Sequence, residues 1–415
     1  MRSIDNKRLS MFSKVVMIFL LLSPILQCYG WGKYDFSFII MSLLSVVYLF
    51  THGVSINKTT KKLLLYWGWW YLSHILSSTS VGELLHLGII RVAITYLVFI
   101  DIMDLDFFMS KYKKISYIII GFFYIQEFSR IVLGVHILSV ATFLPLAVME
   151  DAQEYYTILN EAVRSSSLFK EPAVFAQFLL PLLCYELFGR NKLNVKYIGL
   201  LCITLLWSRT GNAMVGLLAI GICYIIYLLK NRVGNKLSIS VIIMALVIVG
   251  AATVFFKTED GQNVIERVVT IDAESTVDKG YASSTFFRIY QGYYVFNEFS
   301  SLYKVIGNDH EQYIRESAYR SPVILGIYSD REFVAYFNSF QSVLIYTGFI
   351  GLLLMFVFIK GIWKNNSFCG KSMLFLLIAI SLISSNFFTT TMALYLIPAI
   401  AMKERNENSV IKSIA

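Results

Sequence analysis

The sequence predicts an all-α polytopic membrane protein with about 12 transmembrane helices, within a range of 10 to 13. Hydrophobic residues make up 57% of the 415-residue chain and charged residues only 15%, which is too apolar for a surface held in water. Apolar runs recur along nearly the whole chain, and a bilayer core of about 30 Å needs about 20 helical residues per crossing. Lys and Arg also cluster in alternate loops between these runs, as they do in membrane proteins.

The apolar runs predict twelve helices in chain order. The first follows a basic N-terminus but no small-residue cleavage site, so we interpret it as a transmembrane helix and not as a signal peptide. The seventh and the eleventh are short for a crossing. The predicted helices cover residues 15–29, 36–50, 63–76, 84–100, 115–135, 173–188, 197–207, 212–229, 237–256, 342–359, 373–384 and 387–402.

The predicted chain has three regions. Residues 1–256 contain transmembrane helices 1 to 9 with short loops, residues 257–341 form one large loop, and residues 342–415 contain helices 10 to 12 and a tail. Apolar residues in the loop recur at helical spacing from Phe286 to Tyr303 and are followed by a turn signal, which predicts an amphipathic helix on the membrane surface.

The distribution of positive charge predicts the orientation. One set of alternate loops carries 17 Lys and 5 Arg, whereas the remaining positions carry 9 Arg and 5 Lys. Because positive charge accumulates on cytoplasmic loops, both termini are expected in the cytoplasm and the large loop outside. The same rule predicts an interfacial or re-entrant segment at 137–149, because a further crossing there would move every later loop to the opposite side. It also predicts two short helices that turn near Asn386, because a single crossing would place the basic C-terminal tail outside.

The stretch "RSSSLFKEP" places charge at the start of an apolar helix on the outer face. Pro172 suits the first helical position, where its missing N–H costs nothing, and Glu171 then occupies the capping position. Helix N-termini attract anions, and Arg164 and Lys170 add full charges to this one. The alternative is an ordinary capped helix with solvated charges.

The stretch "WSRTGN" repeats this arrangement. A short helix reaches the outer face and another leaves it, with Arg209 at the turn and Ser208, Thr210 and Asn212 as possible caps. Two positive helix ends that bear arginine on one face suit a pyrophosphate. Arg288, in the predicted helix of the large loop, is a third candidate for such a site.

Three ionisable residues are predicted inside the bilayer: Arg91, Glu127 and Arg130. Each is a functional candidate because unpaired charge is costly there, although Glu127 and Arg130 are spaced to form a local ion pair. His310 is either a base or a turn residue. The "DLD" sequence from Asp104 resembles the metal-binding pair of nucleotide-sugar transferases, but it lies on the predicted cytoplasmic face. We predict no metal site, no cofactor and no nucleic-acid partner.

Three stretches in this order, "RSSSLFKEPAVFAQFL", "LLWSRTGNAMVGLL" and "FNSFQSVLIYTGFIGLLL", resemble the Wzy-type O-antigen and capsule repeat-unit polymerases, within the polymerase and O-antigen ligase superfamily. The topology is similar over most of the chain. The resemblance implies a metal-independent glycosyltransferase of the bacterial cytoplasmic (inner) membrane. Its substrates would be undecaprenyl-pyrophosphate-linked oligosaccharides, joined at the periplasmic face, and a chain-length regulator is the candidate protein partner.

The resemblance and the charge pattern together give expected roles. Arg164, Arg209 and Arg288 would hold the pyrophosphate and stabilise its developing charge. Glu171 would orient an arginine or act as the base on the acceptor hydroxyl. The remaining expected substrate contacts are Lys170, Tyr290, His310, Asn338, Arg91 and Arg130.

Two alternatives remain at this stage. Ligases of the superfamily depend on a histidine near the end of the large loop, where this sequence has Asn338 and Gln341, which favours a polymerase. Because the large loop does contain one histidine, His310, a ligase is the first alternative. A lipid-linked oligosaccharide flippase or other transporter would be expected to show repeated halves and smaller external loops, and neither is visible.

Overall fold

The computed structural model of the protein describes residues 11–31, 34–77, 87–139, 144–145, 165–190, 192–230, 291–320, 337–385 and 389–414. Over these residues the regular secondary structure is helical apart from one short hairpin, which confirms the all-α prediction. The hairpin pairs β1 (Gly30–Trp31) with β2 (Tyr34–Asp35) in antiparallel register.

Eight helices occupy the first half of the described chain. α5 continues without a break into a π-helical turn at Ser129–Leu133. The eight helices are α1 Met11–Leu26, α2 Phe36–His52, α3 Lys58–Ser77, α4 Leu87–Ile102, α5 Leu105–Phe128, α6 Pro172–Phe188, α7 Val195–Trp207 and α8 Gly211–Lys230.

Six further helices follow in the described part of the second half. Three are short and belong to the large loop, and three are long. They are α9 Gly292–Glu298, α10 Ser301–Ile306, α11 Glu311–Tyr319, α12 Ser339–Trp363, α13 Phe368–Ser381 and α14 Thr390–Ile414.

Eleven of the twelve predicted helices coincide with α1 to α8 and α12 to α14. The ninth, 237–256, lies outside the described residues, as does most of the predicted segment 137–149. The largest error in a helix start is at α5, which begins ten residues before the predicted 115 because the Asp104 side chain accepts a hydrogen bond of 2.8 Å from the Phe107 backbone N–H. A cap of this kind stabilises a helix by about 1 kcal/mol. It also gives Asp104 a structural role.

The helices have the apolar character of a membrane protein. Three are long and apolar enough to cross a bilayer, Leu105–Leu133, Gly211–Lys230 and Ser339–Trp363, and six shorter apolar helices accompany them in the described chain. Large apolar side chains are exposed on helix faces, among them Leu229 at 71% and Leu353 at 63%. Such extensive exposed apolar surface is typical of a protein whose surface contacts lipid.

α6 lies at the centre of the bundle. Its side chains are buried nearly all round, and Phe178, Leu179 and Leu183 are completely inaccessible. A helix that is apolar on every face is stable only when neighbours cover every face, and here α5, α7, α8, α13 and α14 do so. Both ends of α6 are therefore fixed relative to most of the other helices.

Polar contacts define two ends of the bundle. At one end Glu186 pairs with Lys113 at 3.2 Å and with Arg190 at 2.9 Å, and Lys403 donates to Thr59 at 3.1 Å. We call this the lysine end. The start of α6 lies at the other end, which we call the Glu127 end after the residue that organises it.

α12 is broken at Gly348. Its φ of 62° and ψ of −167° are non-helical, and they interrupt the hydrogen-bond ladder inside a long apolar helix. Three carbonyls before the break take donors from elsewhere: Trp69 Nε1 donates to Thr347 at 2.9 Å, Ser73 Oγ to Tyr346 at 2.9 Å and the Asn308 N–H to Ile345 at 2.8 Å. Because these carbonyls are satisfied by α3 and the loop, the break is tolerated within a membrane segment.

The described part of the large loop packs onto the first half of α12. Apolar side chains of α9 and α11, including Val295, Phe299 and Ile314, form a second small core with Leu344 and Ile345. The predicted continuous helix from Phe286 to Tyr303 is wrong in its described part. The helix ends at Glu298, and Ser300 caps a new helix by accepting from the Tyr303 N–H.

Candidate functional site

The segment before α6 is held in place by the amide of Gln126. The Ser167 N–H donates to Gln126 Oε1 at 2.8 Å, and Gln126 Nε2 donates to the Ser167 carbonyl at 3.1 Å. Ser167 has a left-handed φ of 56°, which this two-way contact stabilises. Pro172 then starts α6 as predicted. Glu171 occupies the capping position, but its side chain makes no capping hydrogen bond and is exposed at the surface.

The turn between α7 and α8 projects Arg209. Arg209 has a left-handed φ of 51°, a conformation that costs a non-glycine residue about 1 kcal/mol or more. Of the three caps considered for this turn, Thr210 serves, because its Oγ1 accepts from the Ala213 N–H at 3.1 Å. The backbone at Arg209 is held between the end of α7 and the capped start of α8. The position of the Arg209 Cα, and so the direction of its side chain, is therefore fixed.

Glu127 joins these two segments. Its carboxylate accepts from Arg130 Nη2 at 2.7 Å, from Trp207 Nε1 at 2.8 Å and from the Ser165 backbone N–H at 3.3 Å. We call Glu127, Arg130, Ser165 and Trp207 the Glu127 cluster. The carboxylate is 5% exposed, so it is a buried charge that depends on these donors. The predicted local pair of Glu127 with Arg130 is thus formed, within a larger network.

The start of α12 lies beside the same end of α6. Ser339 Oγ donates to the Ser384 carbonyl at 2.6 Å, and Gln177 Nε2 of α6 donates to Ser384 Oγ at 2.8 Å. α8 contacts α6 from the other side, where Gly216 allows Leu180 a close approach. The three stretches that carry the family resemblance therefore surround one end of α6.

The charge of this region favours an anion. Glu127 is neutralised by Arg130, so it adds no net negative charge. The N-termini of α6 and α8 each contribute a partial positive charge, and Lys170 and Arg209 add full ones against the one negative charge of Glu171. Arg164 precedes Ser165 in the chain but lies outside the described residues. The arrangement has the features of a phosphate-binding site built on helix N-termini.

His136 lies beside the Glu127 cluster, three residues after the π-helical turn. Burial, followed by the positive charge of Arg130, lowers the pKa of His136 from its ordinary value. The imidazole is therefore neutral at pH 7, and its Nδ1 is buried without a hydrogen-bond partner. The region thus contains the Glu171 carboxylate and a neutral imidazole. Sequence reasoning found only the first, because His136 has no partner at a recognisable spacing.

The β-hairpin also contacts the start of α6. The Cys28 thiol lies beside Lys170, and burial raises the pKa of this thiol to about 11. The thiol therefore stays protonated at pH 7, and all five cysteines of the chain are free. Lys170 itself is exposed.

The other predicted site residues lie elsewhere. His310 caps α11, where its Nδ1 accepts from the Tyr313 N–H at 3.2 Å, which agrees with the turn-residue alternative. Asn338 caps α12 in a reciprocal capping box with Gln341, so its side chain oxygen is engaged by the backbone. Arg91 lines a separate cavity between α1, α2, α4 and α14. Arg288 and Tyr290 lie outside the described residues, shortly before Gly292, which contacts Gln341.

One buried pair was not anticipated from the sequence. His74 Nδ1 of α3 lies 3.0 Å from Asp309 Oδ2 of the large loop, and the Asp309 N–H donates to Ser77 Oγ at 3.1 Å. The pair fixes the loop to α3 next to the break in α12. Among the described residues, no group of three or more His, Cys, Asp or Glu side chains is arranged to hold a metal ion.

Comparison with known proteins gives no family assignment. No protein-family model matches the chain, and no curated protein matches it at a significant level.

Proposed function

We propose that the protein is a membrane glycosyltransferase that joins undecaprenyl-pyrophosphate-linked oligosaccharide repeat units into O-antigen or capsular polysaccharide. The proposal is carried by one observation: the segments around "RSSSLFKEP" and "WSRTGN" meet on the Glu127 carboxylate, through the Ser165 N–H at 3.3 Å and Trp207 Nε1 at 2.8 Å. Two helix N-termini and their basic residues are thereby placed at one end of the bundle.

In this proposal the Glu127 end faces the periplasm and the lysine end faces the cytoplasm. The chain crosses the inner membrane about twelve times, both termini are cytoplasmic, and residues 257–341 form a periplasmic loop. The charge distribution supports this orientation, because lysine-rich loops stay on the cytoplasmic side. A lipid-linked substrate then reaches the site from the outer leaflet.

The proposed reaction is a glycosyl transfer in which the pyrophosphate is the leaving group. The acceptor hydroxyl oxygen bonds to the anomeric carbon of the donor sugar, and the bond from that carbon to the pyrophosphate oxygen breaks. Arg209, with Arg164 and Arg288, stabilises the negative charge that develops on the leaving pyrophosphate. The hydroxyl proton passes to a base, for which Glu171 is the first candidate. Undecaprenyl pyrophosphate leaves with the electron pair of the broken bond.

The remaining proposed contacts are assigned to the substrates. Lys170 lies at the Glu127 end and adds positive charge for the pyrophosphate. Arg130, whose charge Glu127 balances, is proposed to contact the pyrophosphate as a hydrogen-bond donor. Tyr290, Asn338 and His310 are proposed to border the glycan, with the two helix caps acting mainly through the backbone that they position. No metal or other cofactor takes part in the proposed reaction, and a chain-length regulator is the proposed protein partner.

Deletion of the gene tests this function in the cell. A polymerase mutant is expected to keep single repeat units on its surface glycan and to lose all longer chains, because flipping and ligation still work. The ladder of glycan lengths on a gel measures this, with the plasmid-borne gene as the control. A surface with no repeat unit attached would point to a ligase or a flippase and would contradict the proposal.

A further inference from the structure

A cavity of about 250 Å³ lies at the Glu127 end, between α1, α2, α4 and α14. Its volume is near the lower limit for pockets that hold small ligands, about 300 Å³. Apolar and aromatic side chains, including Phe38, Tyr96 and Phe99, form much of the wall. The residues of the Glu127 cluster do not line it, so it is a separate site.

Three buried polar atoms in the wall of this cavity have no hydrogen-bond partner. They are Ser37 Oγ, Arg91 Nε and Thr390 Oγ1. An unsatisfied buried donor or acceptor costs about 1–3 kcal/mol, and buried polar groups in native proteins are nearly always paired. Ser37 is only 2% exposed. Three such atoms on three helices around one cavity indicate a polar ligand.

The charges in the wall restrict which ligand fits. Asp35 and Arg91 both line the cavity, but no ion pair or hydrogen bond joins them in the structure. Asp35 Oδ1 accepts from the Phe38 N–H, and the Arg91 guanidinium lies 3.7 Å from the centre of the Phe38 ring. Their opposite charges leave the wall with no net charge, so it favours neither an anion nor a cation over a neutral ligand.

A neutral group with several hydroxyls can form hydrogen bonds with both Asp35 and Arg91. A hydroxyl donates to a carboxylate, and it accepts from a guanidinium or from a Ser or Thr hydroxyl. The aromatic rings in the wall offer an apolar surface to the C–H face of such a group. Gln27 and Thr95, which also line the cavity, add further donors and acceptors.

We infer that this cavity binds one neutral sugar residue. It is a glycan subsite on α1, α2, α4 and α14, distinct from the pyrophosphate site proposed at the Glu127 cluster. The inference rests on the proposed function in that the sugar belongs to a lipid-linked or growing glycan. Sugar binding itself requires no polymerisation, so the two proposals are tested separately.

The test is saturation-transfer NMR on the full-length protein, purified in a detergent without a sugar headgroup. The probes are methyl glycosides of glucose, galactose, mannose, rhamnose and N-acetylglucosamine, each at millimolar concentration, with pyrophosphate and phosphoethanolamine as charged probes. We expect at least one glycoside to bind and neither charged probe to compete. Ser37→Ala and Thr390→Val are each expected to weaken glycoside binding about fivefold.

Ser45→Ala is the matched control. Ser45 is on the same helix as Ser37, is 1% exposed and has an equally unpartnered Oγ, but it does not line the cavity. Its replacement is expected to leave glycoside binding unchanged. Arg209→Ala is likewise expected to bind glycosides normally, although its rate of polymerisation is expected to fall about 100-fold or more.

Three results would overturn the inference. They are no saturation transfer to any glycoside, binding that both cavity variants leave intact, and displacement of the glycoside by pyrophosphate or phosphoethanolamine. If glycosides fail to bind while polymerisation is intact, the subsite is wrong and the function stands. If glycosides bind as predicted but no polymer forms, the function is wrong and the sugar site stands.

Discussion

Replacement of Arg209 by alanine is expected to lower the rate of polysaccharide elongation about 100-fold or more. Arg209 leaves a strained, capped turn next to the N-terminus of α8, and it is proposed to stabilise charge that appears on the pyrophosphate only as the bond breaks. Arg209→Lys is expected to recover only part of the rate, because an ammonium lacks the planar fork that binds two phosphate oxygens. The measurement is the glycan ladder in a deletion strain that carries each variant.

Arg190→Ala is the matched control for this prediction. Arg190 is 38% exposed, lies at the lysine end and pairs with Glu186, which keeps Lys113 as a partner after the substitution. Arg190 is the exposed member of the pair, and the buried Glu186 keeps Lys113, so the substitution is expected to change the rate less than about threefold. Immunoblots of the membrane fraction show whether the variants accumulate equally. If the Arg209→Ala variant made long chains at a normal protein level, the assignment of Arg209 to the pyrophosphate site would be wrong.

Replacement of Gly348 by alanine is expected to destabilise the protein by about 3 kcal/mol or more. A Cβ at this position would lie 2.3 Å from the Val305 carbonyl oxygen and 2.5 Å from the Gly307 backbone nitrogen, at a φ of 62° that side chains rarely adopt. Neither neighbour is a flexible side chain, so the loop must separate from α12. Thermal unfolding of the purified protein in detergent measures the effect.

Gly361→Ala in the same helix is the control. A Cβ there meets the Lys62 side chain, with Nζ at 2.8 Å, and this flexible group moves easily. Alanine is also the better helix former by about 1 kcal/mol, so a melting temperature equal to or above that of the parent is expected. If Gly348→Ala melted at the same temperature as Gly361→Ala, the break in α12 would not be a feature of the folded protein.

The helices were predictable because their signal is local. Apolar runs of 11 to 21 residues located eleven described helices. The errors at helix starts also have a local cause. The first turn of α3 is polar, and in α5 the polar stretch from Ser110 to Lys114 separates the first turn from the apolar run. Hydropathy therefore does not detect starts that the Asn57 and Asp104 side chains stabilise. Pro172 was assigned correctly because proline is favoured at the first helical position.

The features that depend on distant parts of the chain were not predictable. The break at Gly348 needs donors from Trp69 and Ser73, which are remote in sequence, and "TGFIG" alone gives only a glycine in an apolar run. The His74 to Asp309 pair joins residues 235 positions apart. The distribution of Lys and Arg between loops predicts that Arg164 and Arg209 lie on one face. Nothing in the sequence indicates that the Glu127 carboxylate holds their segments together.

Under the proposed function, this protein alone forms glycosidic bonds between lipid-linked units. Purified protein in proteoliposomes, supplied only with an undecaprenyl-pyrophosphate-linked repeat unit and a metal chelator, measures this directly. The predicted result is a ladder of products of two or more units, with one undecaprenyl pyrophosphate released for each bond formed. Repeat units that remain single, whether or not they cross the bilayer, would contradict the claim.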